Sequence, residues 1–535
     1  MTSSERNDSS RAATAASAQP KTNPYVGVAG VFLGASIATL NARLLSVGLP
    51  DLRGALGLGV DEASWLPTAL NMAMMFSGCF VVFLSALFGP RRILLLASVV
   101  FAAASALLPL VHALPAMLTL MVVAGIASGT FYSLTMTFVL SALPRRLIIF
   151  GIAAYAADIV FTGNFAPAIE GWYIDHLSWH WLFWNSAIVT TGMTVCVYFG
   201  IPRGPLPGQR PSWRGFTYLS LGLALIYGAL DQGERLDWLH SGTVVAMLCA
   251  GALLLIAAIC RRMMQPNPIL DLSFLWRRNV FILGAAIFVF KFVQLSTIVL
   301  VPGFLANIQR YRPLQTGQAL AWVAAPMFAL VWIVAVVVVY TNSRLVLALG
   351  LTLAAVGCWR FSQVDSSWAG NSFELWELLF AGGFACSYVG MVSSIVLDGL
   401  ESGALSGAAK AATLSGFMHF IRLMGGEAGV AFMTRFLDVR EKLHSNLLGL
   451  QVQSGSWISA VRLQSLTARL LPESGSPAEA GYRAGGLLGA QVRAQAYTLA
   501  TSDAFLLMVW IVVGYLLLML FLRPGKITFQ DLRRS

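Results

Sequence analysis

Apolar residues in this chain come in long blocks. Runs of roughly twenty hydrophobic positions recur from residue 25 onward, parted by short stretches that gather Pro, Gly and Arg. A block of that length, at about 1.5 Å per residue, matches the hydrocarbon thickness of a bilayer; strand alternation and the narrow stripe of a soluble amphipathic helix do not account for it. The sequence thus predicts fourteen spanning helices, near 25–49, 63–87, 93–111, 116–140, 148–172, 181–200, 216–232, 242–260, 280–303, 318–340, 345–361, 373–397, 412–434 and 503–522.

Composition agrees with that pattern. Of 535 residues, 57% are hydrophobic and 11% charged, with a mean hydropathy of +0.73; soluble domains carry about 25% charged residues. Residues 1–24 are polar and lack an apolar core, so they read as a disordered tail and the run at 25–49 as an uncleaved span. The six cysteines (79, 196, 249, 260, 358 and 386) fall inside predicted spans with no CxxC, which reads as packing.

Charge placement orients the chain, because segments retained in the cytoplasm collect Lys and Arg. With the N-terminus inside, the inner segments hold twenty such residues, among them Arg91, Arg92, Arg145, Arg146, Arg261, Arg262, Arg277 and Arg278. The short outer loops hold four: Arg53, Arg235, Arg310 and Arg312. Both termini are therefore expected in the cytoplasm. The net charge of +11 reads as a topology signal and a contact with anionic lipid; no RNA- or DNA-binding motif accompanies it, so no nucleic acid partner is expected.

The Pro/Gly/Arg-rich stretch 201–215 and the segment 261–279 divide the spans into six, two and six. The expected organisation is a tail (1–24), an N-terminal six-helix bundle (25–200), a linker with two inserted spans (201–279), a C-terminal six-helix bundle (280–522) and a short cytoplasmic tail (523–535). Within the second bundle, 435–502 is the long outer segment, in which VRLQSLTARLL and GAQVRAQAYTLA read as amphipathic surface helices. It reads as a cover, a docking surface or a tolerated insertion.

Several strings then carry a resemblance. SVGLPDL (46–52) closes the first span, FGPRR (88–92) joins the second to the third with Gly89, Arg91 and Arg92, and APAIEG (166–171) with Pro167 and Gly171 leads into the Trp-rich turn WYIDHLSWHWLFWN. LDQGERLDW with Asp231, PILDLSFLWRRN, VPGFLANIQRYRPLQTGQAL, SGFMHFIRLMGGEAG and TLATSDAF follow in order. Across nearly the whole chain this resembles the fourteen-span drug:proton antiporters of the major facilitator superfamily, the EmrB/QacA type. The resemblance implies two six-helix bundles about a central cavity that opens alternately to either side, with two extra spans between them. It also implies export of amphiphilic small molecules in exchange for protons. Some relatives pass cargo to a periplasmic adaptor and an outer-membrane channel, which the resemblance admits as partners at an inner membrane.

The departures from that pattern are chemical. Asn41 stands where the family usually has Asp, and Arg43 where a small hydroxyl residue is common. Met121 lies near the place of the fourth-span Arg, SALFGP lacks the loop Asp and Arg, and Glu170 replaces a glycine. A neutral Asn cannot carry a proton, so coupling has to use another carboxylate. Asp158, midway along the fifth span, comes first; an unpaired acid there costs about 3 kcal/mol on insertion scales. Glu427 in the thirteenth span comes second and Glu170 third, while Asp231 reads as interfacial.

Each has a plainer reading. Asp158 would pair with Arg43, which the resemblance puts on a nearby helix, or with Lys291 across the halves; Glu427 would pair with Arg422. Glu170 would be a hydrated helix end, Glu374 and Glu377 a wet rim where the twelfth span enters the membrane, and His419 a hydrogen-bonded helix contact.

Arg43, Lys291 and Arg422 place three basic groups near membrane depth, which points to a cargo bearing a carboxylate, phenolate or similar acidic group. Phe32, Phe76, Tyr132, Trp322 and Trp332 are aromatic candidates for an apolar lining. With no Walker string, metal-ligand cluster, HExxH or GxSxG with triad partners, neither an enzyme nor a cofactor is expected. The competing class is a partner protein that keeps a transporter fold without coupled transport, its 435–502 segment docking another protein.

Overall fold

A computed structural model of the chain describes residues 23–144, 147–201, 213–264, 277–401, 408–452, 456–523 and 529–530. The N-terminal tail to residue 22, the linker stretches 202–212 and 265–276 with Arg203 and Arg210, the Arg145–Arg146 pair and Lys526, Arg533 and Arg534 lie outside them.

Seventeen α-helices follow one another among the described residues: α1 (Pro24–Val47), α2 (Leu49–Leu56), α3 (Val60–Phe88), α4 (Pro90–Leu107), α5 (Leu114–Ala142), α6 (Ile148–His176), α7 (Trp181–Gly200), α8 (Trp213–Gly233), α9 (Gly242–Met263), α10 (Arg278–Leu295), α11 (Val301–Asn307), α12 (Pro313–Tyr340), α13 (Ser343–Phe361), α14 (Gly370–Glu401), α15 (Ala408–Gly449), α16 (Trp457–Leu470) and α17 (Pro477–Met519). Their starts obey local chemistry. Asn23 accepts from the Tyr25 amide at 3.1 Å ahead of α1, Asn342 caps α13, and Ser476 accepts from the Glu479 amide at 3.2 Å ahead of α17. Gly89, at φ 79°, occupies a backbone region that side chains avoid and turns α3 into α4 within the FGPRR string. A π-helical turn, Ser296–Leu300, joins α10 to α11 into one run.

Eleven of these runs are long and apolar enough to cross a membrane among the described residues. The other three predicted spans, 63–87, 216–232 and 412–434, lie in α3, α8 and α15, which have 29, 21 and 42 residues. The predicted outer segment 435–502 is mostly helix: α15 runs on to Gly449, α16 matches one amphipathic stretch, and α17 starts at Pro477 rather than near 503. Ala, Leu, Gln and Arg there favour helix over turn, so the apolar runs end while the helices continue.

In the first half α1 lies against α5, α6 and α7, α3 against α5, and α4 against α5 and α7. In the second, α14 packs on α12 and α13, α15 on α10 and α17, and α13 on α17. The halves meet along α6 and α12, and where α15 touches α3 and α5. Small residues set that closeness: a Cβ on Gly317 would come 2.3 Å from the Ala168 nitrogen, and one on Gly171 2.5 Å from that of Leu314. α8 packs against α3, α15 and α9. The end of the bundle bearing α2, α11 and α16 is termed the α16 face.

Candidate functional site

Between the halves lies a cavity of about 10 Å³, room for about one water. Tyr132 from α5 and Tyr155 from α6 face Phe290 and Lys291 from α10, Tyr388 from α14 and Arg422 from α15. The three tyrosines form a cage: the Tyr132 and Tyr155 ring centroids are 4.9 Å apart, those of Tyr155 and Tyr388 6.2 Å, and the Tyr132 and Tyr388 hydroxyls 3.4 Å. The Arg422 guanidinium carbon stands 3.4 Å from the centre of the Tyr132 ring, a cation–π contact that a desolvated site strengthens.

The cations outnumber the acids here. Lys291 donates to Gln294 at 2.7 Å, one turn along α10, and lies in the field of Arg422 and Arg43. Asp158 accepts from Ser36 of α1 through one oxygen, its other oxygen has no hydrogen-bond partner, and Arg422 is the cation acting on it. Neither Arg43 nor Arg422 has a partner at Nε. Asp158 therefore forms no ion pair with Arg43 or Lys291: Ser36 sits on its oxygen and Gln294 on the ammonium. Asn41 is buried inside the first half and accepts from Ser186 at 3.0 Å. Among the five aromatic candidates Tyr132 lines the cavity; Trp322 and Trp332 are 45% and 38% exposed on the outside of α12.

A second polar cluster joins α8 to both halves. The Tyr227 hydroxyl donates to Glu427 of α15 at 2.7 Å, and Asp231, one turn further along α8, is a charged neighbour of Glu427. Asp231 also accepts from Thr68 of α3, and Gln232 donates to the Ser64 carbonyl at 3.2 Å. Glu427 thus engages α8 instead of Arg422, which points to the tyrosine cage. Asp231, read as interfacial, belongs to this packed network.

The remaining acids also depart from expectation. Glu170 is fully buried, not a hydrated end, because Gly48 at the α1–α2 corner closes over its carboxyl, with Asp51 and Asp175 as charged neighbours. Of the predicted rim, Glu374 is half-buried, but Glu377 is fully buried near Cys358, its carboxyl oxygens without partners. His419 is buried against Gly78, and its ring centroid lies 5.3 Å from that of Tyr132. At the motif positions, Arg91 donates to the Tyr198 carbonyl at 2.8 Å, Arg92 is exposed, Pro167 lies inside α6, and Gly171 sits at the seam. Cys79 and Cys358 are packing residues as expected, whereas Cys249 and Cys260 are exposed on α9.

Sequence reasoning missed Ser36, Tyr155, Tyr227, Gln294 and Tyr388. The available signal was a polar group at mid-span, which has to find a partner once it is removed from water. Among the described residues, no three His, Cys, Asp or Glu stand together as metal ligands.

Comparison with known proteins adds lineage to this geometry. The Major Facilitator Superfamily profile matches residues 31–430. The Haemophilus influenzae protein named multidrug export protein EmrB is 24% identical over 92% of this chain and 95% of its own length. The Neisseria gonorrhoeae fatty acid resistance protein FarB is also 24% identical, over 77% and 80%. Among solved structures, the proton:xylose symporter XylE superposes with a TM-score of 0.55 at 11% identity, covering 95% of this chain and 98% of its own, a likeness of fold alone. The two-halved helical fold and the profile match across most of its length make this chain a member of the major facilitator superfamily.

Proposed function

We propose that the chain is a fourteen-span exporter of amphiphilic small molecules, working by alternating access and driven by protons, with both termini in the cytoplasm and the α16 face outward. The observation that carries this reading is the cage between the halves: apolar and aromatic walls with Lys291 and Arg422 on them, and one acid, Asp158, in the field of Arg422. A site at the interface of two halves is the one that rocking exposes to each side in turn. Its excess of cations suits a cargo with a carboxylate or phenolate beside an apolar body. Relatives named multidrug export proteins support export, and one relative is named for resistance to fatty acids. Membrane placement would be the cytoplasmic membrane. In a two-membrane bacterium the helical projection formed by the ends of α15 and α17 with α16 would meet a periplasmic adaptor leading to an outer-membrane channel.

The experiment is amphiphile-driven proton movement in proteoliposomes, wild type beside Asp158→Asn and Lys291→Ala, with matched acidic, neutral and cationic amphiphiles. Proton movement driven by an acidic amphiphile and weakened in Lys291→Ala supports the reading. Absence of flux with every amphiphile, in protein that is folded, favours the non-transporting partner reading.

A further inference from the structure

A cargo the size of an amphiphile cannot enter a cavity with room for about one water, so part of the wall has to give way. The wall residues differ in how they are held. Tyr132 is packed between Tyr155, at 4.9 Å between ring centroids, and His419, at 5.3 Å. Tyr388 is packed between Tyr155 and Phe290, at 6.2 and 5.2 Å. Lys291 is tied to Gln294 along its own helix. The rings are thus fixed from two sides and the ammonium by a hydrogen bond.

Arg422 is held otherwise. It is buried, its Nε has no hydrogen-bond partner, and Asp158 does not bond to it: one oxygen of that carboxyl accepts from Ser36 and the other has no partner. What holds the guanidinium is the face of the Tyr132 ring, whose centre is 3.4 Å from its carbon. Tyr132 belongs to α5 of the first half and Arg422 to α15 of the second, so this contact crosses between the halves. A ring quadrupole holds a guanidinium less firmly than a carboxylate does through two charge-assisted hydrogen bonds.

We propose that Arg422 selects carboxylate cargo and that the Tyr132 ring parks its guanidinium in the empty, closed protein; this rests on the exporter reading above. The guanidinium fork offers two parallel N–H donors to the two oxygens of a carboxylate, a match that an ester does not provide. A carboxylate entering the cavity draws the guanidinium off the ring and pairs with it, beside the Lys291 ammonium that lines the same cavity. The face of Tyr132 is then free for the apolar body of the cargo. Met418, one turn before Arg422 on α15, and Met391 of α14 also line the cavity, and their unbranched side chains can follow that shape. The same step breaks a contact between the halves, which makes cargo arrival and loosening of the closed form one event. Parking also has a thermodynamic consequence: apparent affinity for a carboxylate is lowered by the fraction of protein in which Arg422 is free. Removing the ring therefore strengthens the hold on a carboxylate, the opposite of what loss of a lining contact does.

The test is the preference for acid over ester, a ratio in which the apolar contacts common to both cancel. Binding of a long-chain carboxylate and of its methyl ester to the full chain in nanodiscs is measured by calorimetry for wild type, Tyr132→Phe, Tyr132→Leu, Arg422→Gln and the double variant of the last two. Tyr132→Leu is expected to raise the preference by about threefold or more, the size of a desolvated cation–π contact. Tyr132→Phe keeps the ring and is expected to leave the preference within about twofold. Arg422→Gln is expected to lower it, and Tyr132→Leu to add nothing in that background, since the two residues act as a pair. A preference unchanged in Tyr132→Leu, or a gain that persists without Arg422, overturns the proposal. A second readout stays with the native ring: the Arg422 Nε–H resonance, identified by its absence in Arg422→Gln, is expected to carry the ring-current shift of a stacked guanidinium and to lose it on addition of the carboxylate but not of the ester. A resonance that the carboxylate leaves in place overturns the proposal even where Tyr132→Leu does not fold. No preference for acid over ester in wild type would instead sink the acidic-cargo reading, and this inference with it; a wild-type preference that ignores Tyr132→Leu leaves that reading standing and removes only the parking.

Discussion

Lys291 shows how a single charge reports function when it sits in an apolar run. It was legible in the sequence because nothing in FVFKFVQLS explains an ammonium except a partner at depth, and the partner is Gln294, a neutral carbonyl that leaves the charge uncancelled. A cargo carboxylate would supply the missing counter-charge. Lys291→Ala is therefore expected to raise KM for an acidic amphiphile by about tenfold, the size of a lost charge-assisted hydrogen bond, and to leave its methyl ester within about twofold, a surface-scale effect. Lys291→Arg should restore much of the difference in proteoliposome flux. Equal losses for acid and ester would mean that Lys291 supports packing alone. Tyr155 and Tyr388 were not legible in this way, because a tyrosine in a span is ordinary composition and only the tertiary cage gives it a role. Glu170 was misread for the related reason that a position near a span end says nothing about which corner folds over it.

At the scale of elements, α6 and α12 form the seam along which the proposed rocking would act. Their contact is made by Gly171 against Leu314 and Gly317 against Ala168, where backbone meets backbone with no room for a side chain. The Arg312–Asp175 pair, at 3.7 Å, adds a contact between the halves near the same end. Gly317→Val would force the helices apart at that end without removing a polar group. It is expected to shift the protein toward the form open at the α16 face and to slow transport by about tenfold or more, as hinge and gate variants do. Spin labels at Leu177 and Arg310, on the two halves at that face, would report a longer mean separation; an unchanged separation would show that the seam tolerates the wedge. The apolar runs predicted these helices well because hydrophobic thickness fixes their length. They said little of α15 and α17 beyond the runs, since a helix that leaves the apolar layer keeps its hydrogen bonds while its composition turns polar.

For the whole molecule the decisive quantity is orientation, because it decides to which side each face of a rocking fold opens. The Lys and Arg asymmetry predicts the FGPRR turn inside and α16 outside, and a miscounted span would invert every later segment. Arg92 and Glu473 are both exposed and lie on opposite faces of the bundle. In a background without the six native cysteines, Glu473→Cys is expected to react with a membrane-impermeant thiol reagent in intact cells, and Arg92→Cys only after lysis. Reaction of both from outside would break the span count between them; the reverse pattern would invert the molecule. In that case the face closed by the α6–α12 seam would be the cytoplasmic one, and the helical projection of α15, α16 and α17 would lie inside the cell, out of reach of any periplasmic partner.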